Sequence, residues 1–274
     1  MGDGKFRIGV VAPSSRIGPT TAERVTALAD ALYPGRVQLA FHPQCFLKHG
    51  HFAGPDDARA DAFLDFANDP GFDAVWAARG GYGSNRLLPR VMAGLGPAAR
   101  AKTYLGYSDV GFLLAGLYRA GLSVAHGPIP ADLNRAGGEA AVTRALRWLV
   151  ERAPDTLEPH RDGGKRAAFN LTILNNLVGT PWMPDLAGHA LLVEDVSEHH
   201  YRIDRMLFHL TSVPELRRIA GLRLGRVNDI PENDPAFEQT EEEIARHWCA
   251  VSGVPWLGRA DIGHDIHNKV VPFG

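Results

Sequence analysis

The chain has few cysteines, no long apolar run and no excess of positive charge. Its two cysteines among 274 residues, Cys45 and Cys249, are too few for a disulfide framework and too far apart for a C-x-x-C metal or redox motif. We therefore interpret both as reduced structural residues. A formal net charge of -2 without a basic run argues against a nucleic-acid partner. No uncharged apolar segment could span a bilayer, so no membrane partner is expected.

The N-terminal segment also lacks the features of a targeting signal. It passes almost at once into an apolar strand, 6–12, without an apolar h-region or a cleavage site. We therefore expect the protein to stay in the cytoplasm. With 45% hydrophobic and 22% charged residues, a chain of this length can bury a full core and form one large domain or two modest ones.

The first half alternates short apolar strands with helical stretches. Alternation of this kind predicts an α/β fold with an N-terminal parallel sheet flanked by helices. Thr20 and Glu23 have the spacing of a helix-capping box. The predicted elements of this half are 6–12, 37–41, 74–78 and 103–105 as strands, and 20–32, 57–66, 86–92 and 110–117 as helices.

A polar segment rich in proline and glycine, 151–165, predicts a domain boundary. It would divide the chain into an N-terminal α/β domain, 1–150, and a C-terminal domain, 166–274. The second half mixes strands and helices less regularly, which predicts a smaller mixed α+β domain. Its predicted strands are 190–193 and 222–227, and its predicted helices are 171–177, 201–210 and 240–251.

The segment Leu105-Gly106-Tyr107-Ser108-Asp109-Val110-Gly111 joins an apolar strand to the helix behind it. Such a connection is typical of a nucleophile elbow, in which a sharp turn exposes the serine hydroxyl and the next amide, that of Asp109, stabilises an oxyanion. The alternative is that Ser108 or Asp109 only caps the helix. Val110 stands where the G-x-S-x-G pattern has its second glycine.

A glycine-rich loop, Arg79-Gly80-Gly81-Tyr82-Gly83, follows another predicted strand. Its spacing matches no phosphate-binding loop, and no lysine follows it. Ligands of parallel sheets bind beyond the carboxyl ends of the strands, where this loop and Ser108 should meet. A second amide donor from this loop would complete an oxyanion hole, and a flexible surface turn is the alternative.

The second half supplies the titratable groups that a serine nucleophile needs. Glu194 and Asp195 follow an apolar strand, and His264 lies in a polar stretch near the end of the chain. A histidine near Ser108 could remove its proton, and a carboxylate could orient the imidazole. Glu194 could instead form a surface ion pair with Arg202 or Arg205, and His264 could be a hydrogen-bonded loop histidine.

A metal site is a third alternative. His264 and His267 lie three residues apart, with Glu194, Asp195 and Glu198 as further candidate ligands of a hydrolytic zinc ion. This spacing in a loop lacks the helical i, i+4 geometry of the familiar zinc motif.

Taken together, these segments resemble the LD-carboxypeptidases, the serine peptidases that include muramoyltetrapeptide carboxypeptidase and the microcin C self-immunity protein. The resemblance covers nearly the whole chain. Its motifs are Val10-Val11-Ala12-Pro13-Ser14-Ser15, Phe52-Ala53-Gly54 with Arg59, the loop 79–83 with Arg86-Leu87-Leu88-Pro89, Gly106-Tyr107-Ser108-Asp109, His126-Gly127-Pro128, Asn170-Leu171-Thr172, Gly179-Thr180-Pro181, Glu194-Asp195-Val196-Ser197-Glu198 with Tyr201-Arg202-Ile203-Asp204-Arg205, and Gly263-His264 with Asn268 and Pro272-Phe273-Gly274.

The resemblance implies a role for each of five residues. Ser108 would be the nucleophile, His264 the base and Glu194 the acid that orients the base, while the amides of Asp109 and Gly81 would form the oxyanion hole. It implies a reaction without metal or cofactor, in a cleft between the two domains. The expected substrate is the cytoplasmic murein tetrapeptide, which loses its terminal D-alanine in peptidoglycan recycling. The oligomeric state is left open, with a homodimer as one form.

Two features depart from the family pattern. Ala168-Phe169 precedes Asn170 where relatives often have two glycines, and the sequence stops at Gly274, where relatives usually continue. The first bears on substrate contacts near Asn170, and the second on the packing of the last strand.

A carboxypeptidase must also recognise a free carboxylate, which favours an arginine. Arg79, Arg86, Arg202 and Arg205 are candidates, and the sequence selects none of them. A microcin-immunity peptidase and a catalytically silent peptide-binding relative remain alternatives to the murein enzyme. The short span between Ser108 and Glu194 favours the murein enzyme over the microcin type.

Overall fold

The computed structural model describes residues 4–159 and 163–274, and a six-stranded sheet forms its first half. The strand order is β10-β5-β4-β3-β1-β2, with every pairing parallel except that of β10 with β5. Parallel strands carry their connecting loops to the same edge of the sheet. The strands are β1 (Phe6–Val11), β2 (Val37–Phe41), β3 (Ala74–Ala77), β4 (Thr103–Gly106), β5 (Ser123–His126) and β10 (Val271–Pro272).

Helices cover both faces of this sheet. On one face α1 (Pro19–Leu32) and α5 (Glu139–Glu151) enclose a core with Val10 and Trp76. On the other face lie α2 (Asp56–Asn68), α3 (Leu88–Gly94) and α4 (Gly111–Arg119). Strands buried on both faces carry consecutive apolar residues, which explains the runs in the sequence.

A second sheet of four parallel strands forms the other half, in the order β6-β7-β8-β9. The apolar core on the α4 side of the first sheet also includes Phe169 and Val193 of the second sheet. The two halves therefore share buried apolar surface. Its strands are β6 (Arg166–Asn170), β7 (Ala190–Val196), β8 (Gly221–Asn228) and β9 (Trp256–Arg259), and its helices are α6 (Leu171–Leu177), α7 (His200–Ser212) and α8 (Glu241–Ser252).

The predicted α/β fold class is confirmed, while one local prediction is wrong. The capping box of Thr20 and Glu23 does not form, because α1 begins one residue earlier at Pro19, after Gly18. Proline suits the first turn of a helix, where its missing N–H leaves no bond unmade. A capping box does form at α8, where the Thr240 and Glu243 side chains each accept from the other's backbone N–H.

The division of the chain at 151–165 stays a prediction, and residues 160–162 of that linker lie outside the described residues. The last strand, β10, pairs with β5 of the first sheet. The Gly274 amide also donates to the Arg166 carbonyl on β6 at 3.0 Å. The end of the chain thus contacts both sheets. Over the described ranges, no helix combines the length and apolar character needed to cross a membrane.

Arg59 on α2 is fully buried and joins two loops at the edge of the first sheet. Its guanidinium donates to the Pro13 and Gly83 carbonyls and pairs with Asp56. It also lies over the Phe52 ring, 4.6 Å from the centroid. Buried carbonyls need a hydrogen-bond donor, and this one guanidinium provides it for a carbonyl in each of the two loops.

We expect Arg59→Ala to lower the free energy of unfolding by about 3 kcal/mol, since it leaves buried carbonyls unpaired and opens a cavity. Arg90→Ala is the matched control. Arg90 is an exposed arginine of α3 that pairs with Asp57 and Asp61 of α2, the helix that carries Arg59. Denaturant unfolding of both variants measures the effect. Equal stability of the two proteins would contradict this role of Arg59.

Candidate active site

Ser108 lies directly after β4, in a short 3-10 turn that leads into α4. Its φ is 60°, a left-handed conformation that costs a non-glycine residue about 1 kcal/mol or more. This conformation places the Ser108 hydroxyl next to the glycine-rich loop 79–83. A Cβ on Gly80 would stand 2.8 Å from Ser108 Oγ, so only glycine lets the loop approach so closely. The predicted strand-turn-helix is thus present, with the sharp bend of an elbow.

The Asp109 amide directly follows this serine, and Gly81 follows Gly80 and lines the same cleft as Ser108. Neither donates a hydrogen bond in the part of the chain that the structure describes. The Asp109 side chain is buried and holds the turn, since it accepts from Ser14 Oγ at 2.5 Å and from the Ser84 amide at 2.8 Å. Two amides without an internal partner beside a serine hydroxyl are suited to an oxyanion.

Glu194 lies at an irregularity in β7, where the pairing with β8 shifts register between Val193 and Asp195. Such bulges redirect a side chain. Its carboxylate is completely buried, and a Cβ on Gly225 of β8 would come within 2.9 Å of Glu194 Cβ. The alternative of a surface ion pair with Arg202 or Arg205 is therefore excluded, because the carboxylate is buried and Arg202 pairs with Glu198.

His264 is the partner of this carboxylate. Its Nδ1 is 2.5 Å from Glu194 Oε2, and its backbone amide donates to Asn228 Oδ1 at 2.9 Å. Burial opposes protonation of the ring, but the charge and hydrogen bond of Glu194 outweigh burial and raise the pKa of His264 above its ordinary value. Nδ1 is thereby engaged, which leaves Nε2 for a proton transfer.

Two further residues support His264 and were not among the predicted site residues. The Tyr107 ring lies 4.8 Å from the His264 ring, centroid to centroid. The His126 ring also lies against Tyr107, 5.5 Å between centroids, and its Nε2 is 3.2 Å from Asn268 Oδ1. This Asn268 oxygen accepts from the Gly263 amide as well. Burial lowers the pKa of His126 to about 4, so this histidine is neutral. His126 and Asn268 stand in the motifs that carry the family resemblance, and this was the sequence signal that could have indicated them.

One cleft brings the first half and the second half of the chain together at this point. Ser108 and His264 both line it, with Tyr107, Gly80 and Gly81, and its volume is about 360 Å³. No hydrogen bond joins Ser108 Oγ to His264 Nε2 among the described residues. Catalytic hydrogen bonds are often long before substrate binds. Glu194 lies beneath His264, so the three predicted residues share one site.

The four arginines considered from the sequence have different surroundings. Arg86 pairs with Asp56, Arg202 pairs with Glu198, and Arg205 lies over the Tyr201 ring. Only Arg79 of these four lines the cleft, where its Nη1 donates to the Arg16 carbonyl at 3.3 Å. A second arginine of the cleft, Arg135, was missed, because nothing in its local sequence distinguishes it.

The residues of the metal alternative do not converge on one point. The Asp195 carboxylate accepts from Asn170 Nδ2 at 2.8 Å and from Thr172, on the other face of β7. Burial and the neighbouring charge of Glu194 raise the pKa of Asp195 to about 6. Within 4–159 and 163–274, no group of three or more histidine, cysteine, aspartate or glutamate side chains is arranged to hold a metal ion.

Comparison with known proteins gives the family. Residues 8–127 match the LD-carboxypeptidase N-terminal domain, and residues 164–274 match the LD-carboxypeptidase C-terminal domain. The chain belongs to the LD-carboxypeptidase family. Members are serine-type hydrolases, and this LD-carboxypeptidase is accordingly an enzyme.

Curated relatives cover nearly the whole chain. The sequence is 28% identical to the murein tetrapeptide carboxypeptidase of Pseudomonas aeruginosa over 98% of this chain and 91% of the relative. It is 32% identical to a putative carboxypeptidase of Streptomyces coelicolor over 98% and 88%. The microcin C7 self-immunity protein MccF of Escherichia coli is 26% identical over 64% and 62%.

Solved structures show the same fold. The crystal structure of muramoyltetrapeptide carboxypeptidase from Oxalobacter formigenes matches with a TM-score of 0.82 at 24% identity, over 98% of this chain and 93% of that one. MccF in complex with glutamyl sulfamoyl guanosine matches with a TM-score of 0.77 at 18% identity, over 100% and 92%. Identities this low establish the common architecture alone.

Proposed function

We propose that this LD-carboxypeptidase releases the terminal D-alanine from cytoplasmic murein tetrapeptide by means of a Ser108-His264-Glu194 triad. The observation that carries the proposal is the 2.5 Å contact between His264 Nδ1 and the buried Glu194 carboxylate, in the wall of the cleft that Ser108 lines. A carboxylate in this position fixes the tautomer of the imidazole and stabilises the imidazolium that forms during attack.

In the first half of the reaction, Ser108 Oγ attacks the carbonyl carbon of the last peptide bond while His264 Nε2 takes the hydroxyl proton. The carbonyl oxygen becomes an oxyanion that accepts from the Asp109 and Gly81 amides. The intermediate then collapses, His264 gives its proton to the leaving nitrogen, and D-alanine departs. An acyl-enzyme remains on Ser108.

The second half repeats these roles with water. His264 Nε2 removes a proton from water, the resulting hydroxide attacks the acyl carbon, and the proton returns to Ser108 Oγ as the ester breaks. The shortened peptide leaves with a new carboxylate. No metal or redox step is needed, since each bond formed and broken is accounted for by these groups and one water.

The relatives favour murein as the substrate. The relative from Pseudomonas aeruginosa, which covers 98% of this chain, is named for the murein tetrapeptide, whereas the alignment with MccF covers 64% of it. The function in peptidoglycan recycling, the cytoplasmic location and the cleft between two domains are parts of the same proposal.

The experiment offers the purified protein two substrates in parallel, murein tetrapeptide and an aminoacyl sulfamoyl adenosine. We expect release of D-alanine, measured by mass spectrometry, and no cleavage of the nucleoside compound. Cleavage of the nucleoside compound alone would instead assign the chain to the microcin-immunity type. Binding of the tetrapeptide without cleavage of either compound would identify a silent relative.

A further inference from the structure

The position of His264 determines on which side of Ser108 the leaving amino acid lies. The histidine must hand its proton to the nitrogen that departs, so this nitrogen has to face Nε2. His264 lines the 360 Å³ cleft and does not line the cavity of about 560 Å³ that shares Gly81 with it. With His264 as the proton donor, the leaving amino acid would lie in the smaller cleft.

A carboxypeptidase removes a residue with a free carboxylate, and this cleft has the charge to receive one. Its charged lining residues are Arg79, Arg135 and Asp132, which sum to one net positive charge. Both oxygens of Asp132 are already engaged: Oδ1 accepts from Tyr107 Oη at 2.8 Å, and Oδ2 accepts from the Ile129 amide at 3.0 Å. The aspartate is therefore oriented into the protein.

Arg135 is the cation that this aspartate holds in place. Its Nε donates to Asp132 Oδ1 at 3.2 Å, and Asp132 is 3% exposed while the arginine side chain is 42% exposed. The guanidinium also interacts with the Tyr107 hydroxyl, and in the described part of the chain Nη1 and Nη2 have no further partner. One edge of the guanidinium is thus anchored, and the exposed part of this side chain lines the cleft. An arginine held in this way is suited to bind a carboxylate.

We propose that Arg135 binds the terminal carboxylate of the leaving amino acid, with Arg79 as a second positive charge of the cleft. The proposal rests on the proposed function, because the triad defines the leaving side. Arg135 makes the enzyme an exopeptidase: a peptide whose carboxyl terminus is blocked loses this contact. Asp132 is a positioning residue that also holds Tyr107, the residue against which His264 packs.

The test compares the tetrapeptide with its C-terminal amide, using the wild type, Arg135→Gln and the control Arg202→Gln. Arg202 is an arginine of similar exposure whose partner is Glu198, outside the cleft. For the free acid, we expect Arg135→Gln to lower kcat/KM by roughly 10- to 100-fold, the usual effect of losing hydrogen bonds to a charged group. For the amide, we expect no change, so the preference for the acid disappears. Arg202→Gln should behave as the wild type.

Arg135→Lys covers the case in which Arg135→Gln does not fold. It keeps a positive charge near Asp132 but loses the bidentate contact, so an intermediate loss on the acid alone is expected. A second measurement is independent of turnover: in the Ser108→Ala protein, the acid should bind at least about 10-fold more tightly than the amide, and Arg135→Gln should abolish this difference.

The outcomes separate the two proposals. Release of D-alanine by the wild type, with acid preference retained in Arg135→Gln, would overturn the carboxylate site and leave the proposed function intact. No release by the wild type would overturn the proposed function, and the carboxylate site would then be decided by binding to the Ser108→Ala protein. Equal affinity for acid and amide there would overturn it.

Discussion

Ser108→Ala should lower kcat for release of D-alanine by about 10⁴- to 10⁶-fold, because removing the nucleophile of a triad removes covalent catalysis altogether. Binding of the peptide should persist, since the cleft and the amides of Asp109 and Gly81 remain. Single-turnover measurement of D-alanine release gives the first quantity, and calorimetry gives the second.

The control for this variant is Ser212→Ala, which removes a serine at the end of α7 whose Oγ donates to the Phe208 carbonyl. It should retain wild-type activity. Release of D-alanine by Ser108→Ala at the wild-type rate would exclude Ser108 as the nucleophile. Circular dichroism of both variants confirms that each protein is folded.

Glu194→Gln should lower kcat by about 10⁴-fold, because an amide cannot fix the imidazole in the required tautomer or stabilise the imidazolium. Glu198→Gln is the control, since this carboxylate belongs to the same segment but pairs with Arg202 rather than with His264. It should change kcat by less than about 10-fold, in keeping with the small energies of partly exposed ion pairs.

The pH profile provides an independent measure of the same pair. His264 acts as a base only when neutral, and its pKa is raised by the charge of Glu194 against the effect of burial. Activity should therefore fall as the pH decreases through this raised value. In Glu194→Gln the carboxylate charge is gone and burial remains, so the acid limb of kcat/KM should move to lower pH. An unchanged acid limb would show that the two side chains are not coupled.

Several elements of the fold could be predicted because their local signals agree with the tertiary structure. β2 and α6 match their predicted ranges completely, and β1 and β3 differ from theirs by one residue at one end. In a parallel sheet that is buried on both faces, each strand is a continuous apolar run between polar loops. Such runs can be recognised without knowledge of their partners.

The edges of the sheets were harder to predict. β9 (Trp256–Arg259) alternates between half-buried and exposed residues, and β10 (Val271–Pro272) has only two residues, one of them a proline. Neither has the length or the apolar run of a central strand. Their pairing depends on a partner far away in sequence, so no local pattern could assign β10 to the first sheet.

By itself, the sequence determined the α/β class, the elbow at Ser108 and the residue types of a serine hydrolase, because these depend on local patterns and short motifs. Only the tertiary structure decided that His264 contacts Glu194, that His264 and Ser108 line one cleft, and that Arg79 and Arg135 line it while Arg86 and Arg202 do not. The physical reason is that burial and charge pairing are set by segments from distant parts of the chain, whereas the choice of residue type is visible at each position.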